Sequence, residues 1–464
     1  MYTEDNEEFQ LIQDFKNKID KGESPFYDAV EMEIILEELF SRFDKEYLSH
    51  AIRLALKYYP NNMIFHLYQA REYILQFELE RADEVMQYIE KKFPLTIDFY
   101  LEKITLMHLM DAHYNAIPII NKALKLDPND VELHFLLCME YAQQNNFEKE
   151  LEEIKFVINN DDNIEERFSH ITSLMVFNKQ QKECYKLFNA LSEEFPLSPS
   201  VWSYVGISCT FLDKTEEAIE AFEFALACDN EYTLAHFMLG QTLFIEKDYE
   251  TAIEHLSQTL DDEIFNFTAY RYFGDYEFTF QRYEEALKYY QQSLELATTE
   301  HALCGIIRTL NALGLPEETE TYLEQLSEEN MIVPDAFADI FSILIEMKKT
   351  EKIPEFIEKI LPEYPEASDF FEELFHFILQ KQEYEIGIDI LATYKEYLDE
   401  HGAIGDYYYY CAALYYLLHE IEKGHQFLHN ALLFNYDKHS EFLEWDPSFS
   451  ENETILNLIQ KYKI

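Results

Sequence analysis

Apolar residues recur every three or four positions along most of this chain, in short stretches separated by polar breaks. This spacing puts the apolar side chains on one side of a helix. Breaks such as residues 213–215 (DKT) and 246–248 (EKD) fall between two such stretches, and the chain holds only 10 glycines and 13 prolines. The pattern predicts an all-α protein made of paired helices.

The helix pairs repeat with a constant step along the chain. Gly206, Gly240 and Gly274 are 34 residues apart. Because two helices of a hairpin cross closely only where the side chains are small, we expect these positions at helix crossings. Pro60 and its equivalents are predicted to lie just past a helix end, where proline cannot continue the helix. The same register contains the small residues Ala218, Ala252 and Ala286, the larger residues Phe222, Leu256 and Tyr290, and the prolines Pro60, Pro94, Pro128 and Pro196.

The repeat weakens after residue 300 but continues, and about twelve helix pairs are predicted in all. One such pair cannot bury its own apolar side, so stacking of many pairs is expected to form a continuous core. Residues 25–437 form the predicted array. Residues 1–24 are predicted to be a helical arm or cap, and residues 438–464 a C-terminal capping region, with docking or dimerisation as the alternative role for these ends.

The repeat resembles the tetratricopeptide family, whose pattern is W-x-x-L-G-x-x-Y…A-x-x-x-F-x-x-A…P. The best unit matches it at five positions and departs from it at Val205 and Cys209, where the family has leucine and tyrosine. Thr319, Ile353 and Gly387 stand where alanine is usual. The resemblance implies a right-handed α-solenoid, and the chain also resembles long acidic repeat proteins of bacterial cytoplasm. The five matching residues are Trp202, Gly206, Ala218, Phe222 and Ala225.

Three other folds explain the pattern less well. A continuous coiled coil needs heptads, which a 34-residue step does not contain. HEAT and armadillo units are longer. Pentatricopeptide arrays have nearly the same period, but they bind RNA, and the charge of this chain opposes that.

The resemblance also implies a concave groove lined by the first helix of each pair. An aromatic strip of Phe211, Phe237, Phe244 and Phe278 is predicted there, and such strips bind extended or helical peptides. The alternative is that some of these rings pack against neighbouring helices. Arg271 is the only basic residue at these positions and has Asp275 one turn away, so recognition of a free C-terminal carboxylate is not expected. The groove positions are Ser203, Ile207, Thr210 and Phe211, then Phe237, Gln241, Phe244 and Ile245, then Arg271, Asp275, Phe278 and Thr279.

The charge of the chain restricts its partners. There are 90 acidic residues against 36 lysines and arginines, a formal net charge of -54 spread along the whole chain. Such a field repels nucleic acids and anionic membranes. It either keeps a long surface solvated or steers basic protein partners.

No catalytic, nucleotide-binding or calcium-binding motif is found. His425 and His429 share a helix face, but scattered histidines on a solvated helix explain them better than a metal site. The six cysteines form no regular pattern, the N-terminus does not resemble a signal peptide, and no apolar run is long enough to span a membrane. The sequence therefore predicts a cytoplasmic protein without cofactor, metal or enzymatic activity. It is predicted to act as a scaffold for protein segments or, alternatively, as an acidic chaperone or anti-association factor for basic clients, with homo-oligomers possible.

Overall fold

The computed structural model describes residues 7–111, 115–161, 163–328, 337–364 and 367–462. The first six residues of the predicted N-terminal arm and the last two of the predicted C-terminal cap lie outside these ranges. Within them the secondary structure is helical throughout, with no strand. The chain divides into two units, Met1–Asn230 and Glu231–Ile464.

The first unit consists of a leading helix followed by six hairpins among its described residues. Consecutive helices pack against each other along the chain, so each hairpin is covered by the next. Its helices are α1 (Glu7–Asp20), α2 (Ala29–Ser41), α3 (Lys45–Tyr58), α4 (Met63–Leu75), α5 (Leu79–Lys92), α6 (Ile97–Met110), α7 (Ile117–Ala123), α8 (Val131–Gln143), α9 (Phe147–Asn160), α10 (Ile164–Phe177), α11 (Gln181–Glu194), α12 (Pro199–Thr210) and α13 (Thr215–Cys228).

The second unit continues the same arrangement and ends in three short helices. Two 3₁₀ turns flank its weakest hairpin, at Thr350–Lys352 and Leu361–Glu363. Its helices are α14 (Thr233–Ile245), α15 (Tyr249–Ser257), α16 (Asn266–Thr279), α17 (Tyr283–Leu296), α18 (Glu300–Leu313), α19 (Pro316–Glu328), α20 (Phe337–Glu346), α21 (Ile353–Ile360), α22 (Ala367–Lys381), α23 (Tyr384–Thr393), α24 (Lys395–Glu400), α25 (Ile404–Leu417), α26 (Ile421–Phe434), α27 (His439–Trp445), α28 (Pro447–Glu451) and α29 (Glu453–Gln460).

The small and large repeat positions pack against each other inside the hairpins. A Cβ atom on Gly206 would lie 2.4 Å from the ring of Phe222, and one on Gly274 would lie 2.6 Å from Tyr290. Only glycine therefore lets α12 and α16 approach these rings. The partner positions are buried throughout, and Thr319, Ile353 and Gly387 are buried like the alanines that they replace.

The repeat prolines follow helix ends. Pro60, Pro94 and Pro196 each come two residues after the last residue of α3, α5 or α11, so they follow the C-cap directly. Pro128 is further from α7, because three turn residues separate that short helix from the loop. Each proline therefore marks a boundary between hairpins.

Each hairpin turn contains one residue with left-handed backbone geometry. In the turn after α12, Asp213 has φ 56°, and the N–H of Lys214 donates to the carbonyl of Cys209 at 3.1 Å. This bond joins residues five apart and closes the helix in a Schellman motif. Equivalent left-handed residues are Phe43, Phe77, Asn145 and Lys179 in the first unit, and Lys247, Gln281, Gly314, Lys348, Gln382 and His419 in the second.

The helices at the two ends contribute to the cores of their own units. In α1, Ile12 and Phe15 are buried among residues of α2 and α3. In α29, Ile455 and Ile459 are buried in the core of the second unit. These apolar contacts are those that capping requires.

Candidate functional site

The groove positions predicted on α12 are only partly at the surface. Ser203 is fully buried, and its hydroxyl has no hydrogen-bond partner among the described residues. Ile207 is half-buried, and the Thr210 hydroxyl donates to the carbonyl of Ile207 at 2.7 Å. Phe211 is exposed at the helix end. We therefore correct the groove assignment for Ser203, which is not available to a partner, whereas Phe211 is.

Two further apolar side chains share the position of Phe211 in earlier hairpins of the first unit. Phe177 ends α10, 34 residues before Phe211, and Leu109 lies near the end of α6. Both are exposed. The repeat register could have identified them, but the hairpin of α10 and α11 lacks the glycine and alanine that marked the better units.

On α14 of the second unit, the predicted aromatic residues differ in availability. Phe237 is only 9% exposed and stacks on Phe265 with ring centroids 4.5 Å apart. It is a packing residue, which corrects its assignment to the groove surface. Phe244 is half-buried, Gln241 is also half-buried, and Ile245 is 72% exposed.

An aromatic cluster surrounds Phe244 and joins two neighbouring hairpins. Phe244 contacts Tyr249 and Tyr272, each with centroids 4.9 Å apart. Phe280 contacts Tyr249 at 6.1 Å and Tyr276 at 4.9 Å. We define the aromatic cluster as Phe244, Tyr249, Tyr272, Tyr276 and Phe280, all of them at least partly exposed.

The charged residues predicted on α16 form a closed network. Arg271 Nη1 donates to Asp275 Oδ2 at 2.6 Å, and its guanidinium lies 3.8 Å from the centre of the Tyr272 ring. The other oxygen of Asp275 accepts from the Tyr290 hydroxyl at 2.6 Å and from Arg308 Nη2 at 3.1 Å. Burial, together with the Asp275 carboxylate, raises the pKa of Tyr290 well above its ordinary value, so Tyr290 remains a donor.

Arg308 extends this network to the next hairpins and was not predicted. Its Nη1 donates to Asp339 at 3.2 Å, and its guanidinium lies 4.5 Å from the centre of the Phe278 ring. The linker between α17 and α18 is one residue shorter than the one that precedes α14, so Arg308 is 33 residues after Asp275. A strict 34-residue step arrives at Thr309 instead, which explains why the sequence pattern missed it.

The described residues contain no group of three or more histidine, cysteine or acidic side chains suited to a metal ion. His425 Nδ1 is 2.8 Å from the carbonyl of Ile421 and 3.2 Å from the Tyr416 hydroxyl. His429 contacts the Tyr462 hydroxyl. Each imidazole therefore has its own partner, and nothing in this arrangement brings the two together around an ion.

Comparison with known families identifies the repeat. The family model described as tetratricopeptide repeat matches residues 212–266 and 248–301. These segments contain the aromatic cluster and the Arg271–Asp275 pair. The chain is a tetratricopeptide-repeat protein.

Several solved structures share short-range similarity with this tetratricopeptide-repeat protein. Yeast Tom70 is 13% identical with a TM-score of 0.36, and the match covers 80% of this chain and 92% of that one. A tetratricopeptide repeat protein from Parabacteroides merdae is 12% identical with a TM-score of 0.38, covering 52% and 91%. PilW, a type IV pilus biogenesis factor, is 17% identical with a TM-score of 0.34, covering 43% and 92%. Identities and TM-scores this low say nothing about the partners of the chain.

No curated protein matches the sequence. Across the described residues of the tetratricopeptide-repeat protein, no helix combines the length and apolar character that a membrane span needs.

Proposed function

We propose that this chain is a scaffold that holds segments of other proteins against the first helices of its hairpins. The observation that carries the proposal is the aromatic cluster beside Ile245. Five rings meet across two hairpins, and a large aliphatic side chain stands exposed next to them. Rigid aromatic groups of this kind are the usual energetic centres of protein interfaces.

The chemistry around the cluster indicates the kind of segment that it would bind. Glu246 and Asp248 are exposed directly after Ile245, and Glu277 lies beside Tyr276 on α16. An apolar anchor flanked by lysine or arginine would satisfy both the rings and these carboxylates. The formal net charge of -54 adds a long-range attraction for such a basic segment.

Recognition of a free C-terminal carboxylate is not part of this proposal. Arg271 and Arg308 are the guanidinium groups of the charged network, and both already bind carboxylates. A carboxylate ligand would have to displace Asp275 or Asp339 from them, at the cost of leaving a buried charge unpaired.

The acidity supports a second candidate, a chaperone or anti-association factor for basic clients. Salt distinguishes the two. Attraction between exposed charges is strongly screened when ionic strength rises, whereas burial of an apolar anchor is not. We place either function in the cytoplasm and without catalysis, and the six free cysteines support a reducing compartment.

Peptide selection tests the scaffold function. A random peptide library displayed on phage is selected on the purified chain, and the affinity of the selected peptides is measured by fluorescence anisotropy. The double variant Ile245→Glu, Phe280→Glu should weaken binding at least about tenfold, since it removes two anchoring contacts. The control Leu433→Glu, at an exposed position on the second helix of another hairpin, should bind like the wild type. Equal binding by a folded double variant would reject this surface, and binding abolished by moderate salt would favour the acidic chaperone.

A further inference from the structure

A cavity of about 330 Å³ opens in the first unit where two neighbouring hairpins turn. The residues that line it come from the end of α8, the following turn, α9, α10 and α11. They combine apolar walls with charged groups of both signs. The lining residues are Ala142, Asn145, Phe147, Glu150, Met175, Lys182, Glu183 and Lys186.

Glu150 is the buried charged group of this cavity. Its side chain is only 3% exposed, and its Oε1 atom has no hydrogen-bond partner among the described residues. No ion pair joins it to a described lysine, arginine or histidine within bonding distance. Leaving a buried carboxylate oxygen without a donor is costly, so the site has an acceptor ready for a ligand that donates.

Two lysines stand at the opposite, solvent-facing side of the cavity. Lys182 and Lys186 are exposed, and the Lys186 ammonium lies 3.7 Å from the centre of the Phe147 ring. This cation–π contact holds a positive charge against the wall. The cavity therefore has a carboxylate inside, and two ammonium groups together with the exposed Glu183 near its opening.

We propose that this cavity binds a small zwitterion, a free α-amino acid, whose ammonium group bonds to Glu150 and whose carboxylate bonds to Lys182 and Lys186. The side chain of the ligand would contact Met175 and Ala142, both buried. A simple amine would be repelled by the two lysines, and a simple carboxylate by Glu150. A molecule carrying both charges satisfies both ends.

The acid–base properties of Glu150 support this assignment. Burial raises its pKa to about 7, and the nearby Lys186 only partly opposes that rise. A bound ammonium group would lower the pKa again, because it stabilises the ionised carboxylate. Binding near neutral pH should therefore release protons, which calorimetry detects as a dependence of the heat on the buffer.

Isothermal titration calorimetry of the purified full chain with each natural amino acid tests the proposal. We expect at least one to bind, with a heat that depends on the ionisation enthalpy of the buffer. Glu150→Gln should weaken that amino acid at least about tenfold, or about 1.4 kcal/mol. The double variant Lys182→Met, Lys186→Met should also weaken it. The matched control is Glu152→Gln, an exposed position on the same helix, which should leave binding unchanged.

Three results would overturn the proposal. The first is that no amino acid binds at about 10 mM, a concentration that reveals even millimolar dissociation constants. The second is binding that survives in folded Glu150→Gln protein. The third is methylamine binding as tightly as the amino acid and gaining affinity in the double lysine variant, which would assign the cavity to a basic side chain of a partner. Circular dichroism checks folding, and the double lysine variant decides the matter if Glu150→Gln does not fold.

Discussion

The indole N–H of Trp202 donates a hydrogen bond of 2.9 Å to the carbonyl oxygen of Pro196, six residues earlier. His66 and His134 stand in the same relation to Pro60 and Pro128, at 3.1 and 3.0 Å. The first helix of a hairpin is thus tied to the carbonyl at the end of the preceding one. This link explains why a ring with a polar nitrogen recurs six residues after a repeat proline.

Replacing Trp202 by phenylalanine should lower the free energy of unfolding by about 1 kcal/mol more than the same change at Trp445. Both substitutions shorten a ring, but the Trp445 nitrogen is buried without a hydrogen-bond partner in the described chain. The difference between the two therefore isolates the bond to Pro196. Urea unfolding of both variants measures it, and equal losses would mean that the bond does not contribute.

The left-handed turn residues lead to a second prediction. Phe77 has φ 56° and is 77% exposed, so its backbone is strained and its ring gains little from burial. Phe77→Gly should raise the free energy of unfolding by about 1 kcal/mol. At Phe177, which is exposed but lies inside α10, glycine should destabilise the protein by a similar amount. Thermal melts compare the two, and a loss of stability at both positions would contradict the strain at Phe77.

Helix crossing is tested at two glycines. A methyl group on Gly206 would lie 2.4 Å from Phe222, whereas one on Gly405 would lie 3.4 Å from the Cβ atom of Phe434. Gly206→Ala should cost about 1–3 kcal/mol of unfolding free energy through overpacking. Gly405→Ala should be neutral or stabilise α25, since alanine favours helix. Denaturant melts in which Gly206→Ala is neutral would show that α12 and α13 do not cross as described.

These glycines also show how far the sequence predicts the fold. The 34-residue step correctly identified the helix pairs around Gly206, Gly240 and Gly274, because the close approach of two helices there tolerates no side chain. It did not identify Arg308, where the linker loses one residue and the register shifts. It also could not show that Phe237 is packed while Ile245 is exposed, because burial depends on which neighbouring ring, here Phe265, fills the space beside a helix.

Glu150 makes stability depend on pH. Its pKa, ordinarily near 4.5, is raised to about 7 by burial, so the folded chain binds more protons than the unfolded chain between these values. The free energy of unfolding contributed by this residue therefore falls as pH rises through that window. Glu150→Gln should be more stable than the wild type by about 1–3 kcal/mol at pH 8 and little different at pH 4. Urea unfolding at both pH values, with Glu152→Gln as control, measures this, and a difference that does not change with pH would contradict the shift.

Site-specific photo-crosslinking tests most directly whether partners bind to the first helices. Benzoylphenylalanine is placed either at Ile245, which is 72% exposed beside the aromatic cluster, or at Leu433, which is 62% exposed on the second helix α26. Each protein is irradiated with a peptide selected on the wild-type chain. The scaffold function predicts efficient crosslinking from position 245 and little from position 433. Crosslinks from position 433 alone, or equally from both, would contradict it.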